Sequence, residues 1–286
     1  MKVCHQIVEI KEIISRDKRQ GFSIGFVPTM GYLHEGHLSL VRESLQTTAK
    51  TVVSIFVNPT QFGPQEDYQD YPRDLSRDTA RLEEMGVDYV FAPSPNEMYP
   101  PGFKTYVEVT QLQDKLCGRS RPGHFRGVCT IVLKLFNIIQ PDWAFFGQKD
   151  AQQAIIIQKM IKDLNLETKI KVLPIVRDQD GLALSSRNTY LSPEQRQAAL
   201  VLYQSLQLAQ LLFEEGERRT STIKQAMINR IQQEPLAKID YVEIVEMENL
   251  DEISLITDKA LVALAVFIGR VRLIDNVILA EKGKKE

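Results

Sequence analysis

Short apolar runs alternate with segments of helical spacing through the first two thirds of the chain. The runs are rich in β-branched and aromatic side chains, which is typical of strands that are covered on both faces. These predicted strands cover residues 22–27, 51–57, 88–93, 143–146 and 170–176. Apolar positions of helical period predict helices at residues 8–19, 38–43, 76–85 and 128–139. The alternation predicts an α/β fold with a mostly parallel sheet and right-handed connections.

The pattern changes near Ser192, where an N-cap serine, a proline at the first helical position and the capping-box glutamine Gln195 begin a new helix. The predicted helices there cover residues 192–215 and 221–232, and the predicted strands cover 240–247, 261–268 and 271–278. These elements predict a smaller α+β domain at the C-terminus. We place the two predicted domains at residues 1–176 and 177–286.

Four clusters of polar residues directly follow predicted strands. They lie at residues 31–37, 58–63, 147–153 and 177–188. Parallel α/β sheets bind ligands in the crevice outside the carboxyl ends of their strands. We therefore expect the four clusters to converge on one site.

The first cluster contains the pattern His34-Glu35-Gly36-His37 where a strand turns into a helix. The helix start directs unpaired N–H groups outwards, which favours an anion such as phosphate, and histidines three positions apart share one helical face. Two other interpretations stay open. The pair could bind zinc, although its spacing is one residue short of the metalloprotease pattern, or it could be two exposed residues at a helix start.

The strand ends carry donors that suit transfer of a phosphoryl or nucleotidyl group, a reaction that needs mainly positioning and positive donors. They are His34, His37, Lys149, Ser185, Ser186 and Arg187, with Gln61 and Gln153 as neutral amides. The clusters contain no Ser-His-Asp or Cys-His arrangement and no Walker or Gly-x-Gly-x-x-Gly motif, which disfavours covalent acyl chemistry and Walker-type hydrolysis. As alternatives, Lys149 could be a surface lysine and Ser185 to Arg187 a capped turn.

Two further segments allow two interpretations each. Residues 118–127 combine three arginines, a histidine and three glycines before a helix, so they could bind an anion or serve as a structural loop or subunit contact. The acidic, turn-rich segment at residues 63–74 could cover a site or be a solvated connection.

Composition narrows the function classes. The 286 residues carry a net charge of -2, which disfavours a nucleic-acid partner. No apolar run reaches membrane-spanning length and no signal pattern opens the chain, so we predict a soluble, cytoplasmic protein without a membrane partner. Three scattered cysteines predict reduced thiols rather than disulfides.

Five motifs together resemble the pantoate:beta-alanine ligase (pantothenate synthetase) family, in order and over nearly the whole chain. They are Pro28-Thr29-Met30-Gly31 with His34-x-Gly36-His37, Phe56-Val57-Asn58-Pro59-x-Gln61-Phe62, Arg121-Pro122-Gly123-His124-Phe125, Phe146-Gly147-x-Lys149-Asp150-x-Gln152-Gln153 and Asp180-Gly181-Leu182-Ala183-x-Ser185-Ser186-Arg187-Asn188. HxGH alone marks the wider nucleotidylyltransferase superfamily. The resemblance implies a Rossmann-like parallel-sheet domain that binds ATP and pantoate, a small C-terminal domain that covers the site, and a homodimer.

The resemblance also implies the reaction, a step in pantothenate and coenzyme A biosynthesis. Pantoate attacks the α-phosphorus of ATP, supplied with Mg²⁺, to give pantoyl adenylate and pyrophosphate. The amine of beta-alanine then attacks the adenylate to give pantothenate and AMP.

Residue roles follow from the resemblance by position. His37, His34 and Lys149 would be catalytic, and Gln61 and Gln153 would bind the substrates pantoate and beta-alanine. The implied ATP-binding residues are Met30, Gly31, Tyr32, Leu33, His34, Glu35, Gly36, His37, Gly147, Gln148, Lys149, Asp150, Val176, Leu184, Ser185, Ser186 and Arg187. Leu184 and Gln148 stand where the family often has methionine and glutamate. No metal ligand is assigned.

Two other functions stay open from the residues. Another HxGH enzyme would transfer a nucleotidyl group to a phosphorylated acceptor, and its acceptor site would need cationic residues rather than paired glutamines. A nucleotide-sensing module would bind ATP without forming a product.

Overall fold

The computed structural model describes residues 1–64 and 66–281, which fall into two compact units. The first unit comprises Met1–Gln113, Arg121–Gln148 and Ile156–Pro174. The second comprises Asp114–Ser120, Lys149–Ile155 and the chain from Ile175 onwards. The predicted domain division after residue 176 stays a prediction.

The first unit contains a six-stranded parallel sheet, which confirms the α/β fold class. Its strand order is β1-β4-β3-β2-β5-β6. The strands are β1 (Lys2–Cys4), β2 (Ile24–Thr29), β3 (Lys50–Ile55), β4 (Tyr89–Phe91), β5 (Trp143–Gly147) and β6 (Lys169–Leu173). Its helices are α1 (Ile7–Arg19), α2 (Glu35–Thr47), α3 (Leu75–Glu84), α4 (Pro95–Met98), α6 (His124–Ile139) and the part of α7 (Ala151–Asp163) from Ile156 onwards. The short helix α5 (Cys117–Ser120) belongs to the second unit.

The strand order reverses between β2 and β5. From β2 the chain adds β3 and β4 on one side of the sheet, whereas β5 and β6 lie on the other side. Ligands of open α/β sheets bind at such a switch point, outside the carboxyl ends of the strands. The fold therefore predicts a ligand site at the segments that follow Thr29 and Gly147.

The second unit contains a three-stranded antiparallel sheet with helices packed on it. The strands are β7 (Ala237–Val245), β8 (Lys259–Ile268) and β9 (Val271–Ala280), and β8 is central. The helices are α8 (Pro193–Ala198), α9 (Leu200–Glu214) and α10 (Thr220–Gln232). Apolar side chains of α9, α10 and the sheet form one buried core. None of the described helices is long and apolar enough to cross a membrane.

Several elements differ from the predictions, and β1 was not among the predicted strands. Phe22 is 39% exposed and precedes β2, which starts at Ile24. The predicted helix over residues 192–215 is two helices, α8 and α9, with Ala199 between them. The strand predicted to reach residue 176 ends at Leu173, because Leu173 pairs with Gly147, the last residue of its one neighbour in the sheet, β5.

Helix α6 packs directly on the 3-10 helix Pro59–Gln61, which follows β3. The contact depends on Gly127, because a Cβ there would lie 2.3 Å from the Thr60 carbonyl oxygen and 2.7 Å from the Gln61 Cα. Backbone atoms cannot swing away as a flexible side chain does. The close approach therefore fixes where Gln61 lies.

We predict that Gly127→Ala lowers the free energy of unfolding by about 1–3 kcal/mol, because overpacking forces the two backbones apart. Urea denaturation of the purified proteins measures the change. The control is Asn137→Ala at an exposed position of α6, where we expect a change within about 0.5 kcal/mol. Equal stability of Gly127→Ala and the parent would contradict the packing argument.

Candidate active site

The chain turns sharply between β2 and α2. Gly31 has φ 84° and Tyr32 has φ 50°, so two consecutive residues adopt the left-handed region. A Cβ on Gly31 would lie 3.0 Å from Ile55 Cγ2 and 3.1 Å from Asp78 Oδ2. Conformation and space together therefore favour glycine at this position.

The two histidines of the HxGH pattern cap the start of α2. His34 is the N-cap residue, and its Nδ1 accepts a hydrogen bond from the Gly36 N–H at 3.2 Å. His37 Nδ1 accepts from the His34 N–H at 3.3 Å, and the ring centroids are 4.0 Å apart. A neutral imidazole that accepts at Nδ1 carries its proton at Nε2. The caps thus make Nε2 of both rings a donor.

The His34 side chain folds back onto the first turn of α2, and this leaves no room for a side chain at position 36. A Cβ at Gly36 would lie 2.9 Å from His34 Cε1 and 3.0 Å from its Nδ1. The neighbouring Glu35 is exposed and pairs with Arg42. The helix start brings together N–H groups, the positive end of the helix dipole and two imidazole donors, which suits a polyphosphate.

Both Nδ1 atoms accept backbone hydrogen bonds, so they are engaged in capping rather than in holding a metal. Within residues 1–64 and 66–281, no group of three or more His, Cys, Asp or Glu side chains is placed to hold a metal ion.

Gln61 lies beside this turn with its amide orientation fixed. The side chain is 9% exposed, and its Oε1 accepts from Asn58 Nδ2 at 3.1 Å. Its Nε2 donates to Met30 Sδ at 3.0 Å. The acceptor end therefore faces Asn58 and the donor end faces the segment that follows β2.

Asn58 was not assigned a role from the sequence, although it belongs to the second polar cluster. It is 1% exposed, and its Nδ2 also donates to the Gly127 carbonyl at 3.1 Å. Its Oδ1 accepts from the Tyr99 hydroxyl at 2.8 Å. The position of this amide directly after a strand was the signal in the sequence for a role of Asn58, but its partners Tyr99 and Gly127 lie 41 and 69 residues away.

The cationic segment at residues 118–127 uses Arg121 and His124 to hold the Gln61 backbone. Arg121 Nη2 and His124 Nδ1 lie 3.3 and 2.8 Å from the Gln61 carbonyl oxygen. Arg121 also donates to both carboxylate oxygens of Glu66, at 2.7 and 2.5 Å. For these two residues the structure favours the structural interpretation over anion binding.

Gly147 and Gln148 follow β5, on the other side of the switch point. Gly147 is the last residue of β5 and is half-buried, as is Gln148, which begins the 3-10 helix Gln148–Asp150. The first unit therefore carries the predicted residues Met30 to His37, Gln61, Gly147 and Gln148 at or just after the carboxyl ends of its strands.

The second unit carries the remaining predicted residues. The Lys149 carbonyl accepts a hydrogen bond from Asn276 Nδ2 of β9 at 3.0 Å, and its Nζ lies 3.8 Å from Asp150 Oδ2. Gln153 is half-buried in the part of α7 that belongs to this unit. Its neighbour Gln152 is the buried one.

A short hairpin places Val176 beside Leu184. The Leu184 N–H donates to the Val176 carbonyl at 3.0 Å, and Gly181 makes the turn with φ 100°. Arg177 fixes the hairpin through hydrogen bonds of 2.6 and 2.9 Å to the buried carboxylate of Asp275. Ser185 then caps the 3-10 helix Ser186–Tyr190 by accepting from the N–H of Arg187. The capped turn, which was the alternative interpretation of Ser185 to Arg187, is therefore present, and it follows the hairpin that Arg177 fixes.

Comparison with known proteins identifies the relatives of the chain. A family model for pantoate-beta-alanine ligase matches residues 2–278. The chain belongs to the pantoate-beta-alanine ligase family. This confirms the resemblance found in the motifs.

Relatives in the pantoate-beta-alanine ligase family match over nearly their full length. A pantothenate synthetase of Caldicellulosiruptor bescii is 57% identical, covering 99% of this chain and 100% of that protein. Another, of Acetivibrio thermocellus, is 58% identical over 98% of this chain and 99% of that protein.

Two solved structures of the pantoate-beta-alanine ligase family share the fold. Pantothenate synthetase from Thermus thermophilus has a TM-score of 0.93 and 44% identity, covering 97% of this chain and 99% of that chain. The pantoate-beta-alanine ligase from Francisella tularensis, in complex with beta-gamma ATP and beta-alanine, has a TM-score of 0.81 and 35% identity, covering 97% of each chain.

The Arg121–Glu66 pair predicts a pH dependence of stability. Burial raises the pKa of Glu66, but the hydrogen bonds and charge of Arg121 outweigh it, so the net pKa lies below the ordinary 4.5. A lowered pKa means that the pair stabilises the fold above about pH 4.5 and that this contribution is lost as the pH falls through the folded-state pKa. We predict that Glu66→Gln lowers the free energy of unfolding by about 1 kcal/mol at pH 7 and that the difference from the parent vanishes in acid.

Urea titrations of both proteins from pH 7 to about pH 3 measure this difference. Glu84→Gln, at an exposed position of α3, is the control for the replacement of a glutamate by glutamine. A difference that stays constant over this range would contradict the role given to the pair.

Proposed function

We propose that the chain joins pantoate to beta-alanine with the cleavage of ATP to AMP and pyrophosphate. The family match over residues 2–278 carries this conclusion, and the donor set at the start of α2 fits it. The chain is an ATP-dependent acid-amine ligase of pantothenate biosynthesis, as its motifs predicted.

In the first step a carboxylate oxygen of pantoate attacks the α-phosphorus of ATP. The bond from that phosphorus to the bridging oxygen breaks, and pyrophosphate leaves with the electron pair. Negative charge grows on the bridging oxygen, where preorganised donors lower the barrier. We assign this role to the Nε2 donors of His37 and His34 and to the Lys149 ammonium.

In the second step the amine of beta-alanine attacks the acyl carbon of the adenylate. The bond from that carbon to the AMP oxygen breaks, the amine loses a proton, and an amide forms. Gln61 and Gln153 bind the substrate acid. Amides can both donate to a carboxylate and pair with hydroxyls without adding a competing charge.

ATP contacts come from three groups of residues. They are Met30 to His37, Gly147 to Asp150, and Val176 with Leu184 to Arg187. Mg²⁺ enters with ATP as part of the substrate, because this ion binds chiefly phosphate and water oxygens. The covering role of the C-terminal domain, the homodimer and the cytoplasmic location stay predictions.

We predict that the chain exchanges labelled pyrophosphate into ATP when pantoate is present and beta-alanine is absent, because adenylation is reversible and precedes the attack of the amine. Scintillation counting of ATP across a panel of acids measures it. Exchange that required beta-alanine would exclude a separate adenylation step. No exchange with any acid would favour a nucleotide sensor, and product with a phosphorylated acceptor would favour another HxGH transferase.

We predict that His37→Ala lowers the rate of adenylate formation at least a hundredfold, on the order of 3 kcal/mol, which is typical of losing one preorganised donor. His37→Asn should be equally slow, although its Oδ1 can replace Nδ1 as the acceptor for the His34 N–H and preserve the cap. Single-turnover formation of pantoyl adenylate gives both rates. Lys149→Ala should fall in the same range.

The control is His5→Ala, an exposed histidine that contacts the Ala92 carbonyl. Its rate should match the parent. If folded His37→Asn forms the adenylate at a rate within about threefold of the parent, the activation free energy has changed by less than about 1 kcal/mol. His37 would then be a capping residue without a catalytic role.

A further inference from the structure

Asp78 of α3 is a fully buried carboxylate that holds the turn before the HxGH pattern. It is 0% exposed, and its Oδ2 accepts from the Tyr32 N–H at 2.6 Å while its Oδ1 accepts from the Leu33 N–H at 2.8 Å. Neither N–H belongs to a strand or a helix. Each carboxylate oxygen thus satisfies one backbone donor of the turn.

The same face of α3 also holds the carbonyl of this turn. Arg77 Nη2 and Arg81 Nη1 donate to the Leu33 carbonyl oxygen at 3.1 and 2.8 Å. The Arg77 guanidinium lies 4.5 Å from the centroid of the Tyr32 ring. Three polar backbone atoms of two consecutive residues are therefore fixed by one helix.

The turn needs such external support. Tyr32 has φ 50°, a conformation that is uncommon for a residue with a side chain and persists where its surroundings impose it. The next residue after the clamped pair is His34, the N-cap of α2. Any shift of Leu33 is therefore passed directly to the imidazoles.

We propose that Asp78 is a positioning residue that sets the two imidazoles of the HxGH pattern for adenylate formation. This inference rests on the proposed function. The Asp78 carboxylate binds the backbone of the turn, and under the proposed function the histidines act on the nucleotide. A misplacement of about 1 Å can cost about a hundredfold in rate, so the effect of losing the clamp reaches the chemistry.

A carboxylate is required because two N–H donors need two acceptor oxygens. Asparagine has nearly the same shape but offers one acceptor and an NH₂ group, which would face an N–H of the turn. Asp78→Asn is therefore the sharpest variant. The matched control is Asp17→Asn, because Asp17 of α1 is also buried, at 3% exposure, and accepts from the Tyr89 hydroxyl at 2.6 Å.

The first measurement is hydrogen exchange of the peptide over residues 30–38, followed by mass spectrometry. In Asp78→Asn we expect the Tyr32 and Leu33 amides to exchange at least tenfold faster than in the parent, and in Asp17→Asn at the parental rate. Unchanged exchange of these amides in folded Asp78→Asn would overturn the proposal. This result does not depend on which reaction the protein catalyses.

The second measurement is pyrophosphate exchange into ATP with pantoate. We expect Asp78→Asn to lower kcat at least tenfold with less than threefold change in the KM for ATP, whereas Asp17→Asn keeps both near parental. A loosened turn with kcat within threefold of the parent would overturn the positioning role. No exchange in the parent would instead reject the proposed function, with the amide measurement still deciding whether Asp78 fixes the turn.

If Asp78→Asn does not fold, Arg81→Met tests the same clamp, because it removes the 2.8 Å donor to the Leu33 carbonyl from a half-buried side chain. We expect the Tyr32 and Leu33 amides to exchange about threefold faster and kcat of pyrophosphate exchange to fall about threefold. Parental values in both measurements would overturn the proposal.

Discussion

The N–H groups of the half-buried Tyr32 and the buried Leu33, between β2 and α2, have no acceptor in the backbone of a strand or helix. An unpaired buried N–H costs about 1–3 kcal/mol, so the turn can exist only if another part of the chain accepts both bonds. Asp78 does so from α3. Because β2 lies next to the switch point and α2 begins two residues after Leu33, this carboxylate, with Arg77 and Arg81, holds the chain where α2 begins.

Each imidazole of the HxGH pattern has a structural task at the start of α2, and the proposed function adds a chemical one. One nitrogen of each ring caps the helix, and this decides that the other nitrogen carries the proton. The spacing of the pattern follows from the geometry, because Gly36 leaves room for His34 to fold back onto its own helix. Helix capping and substrate binding are therefore not competing interpretations of these histidines.

Local pattern was enough to predict the alternating strands and helices, and the polar clusters that follow them. Apolar period and β-branching are properties of neighbouring residues, so they can be read from the chain. Asp78 could not be found in this way, because its partners are 45 and 46 residues distant and it looks like an ordinary acid in a surface helix. The structural roles of Asn58 and Arg121 could not be predicted for the same reason, because they too bind residues far along the chain. The break between α8 and α9 at Ala199 could not be predicted either, because no glycine or proline lies there.

The bond from Asn58 to Gln61 gives the glutamine a fixed polarity. A solvent-exposed amide can rotate by half a turn and offer either its oxygen or its nitrogen, whereas Gln61 has its oxygen engaged and its nitrogen turned towards Met30. An amide held in this way distinguishes hydrogen-bond acceptors from donors. Its NH₂ group can bind a ligand atom with a lone pair, whereas a ligand group that only donates finds no acceptor there. Under the proposed function, Asn58 therefore decides which end of the Gln61 amide the substrate acid meets.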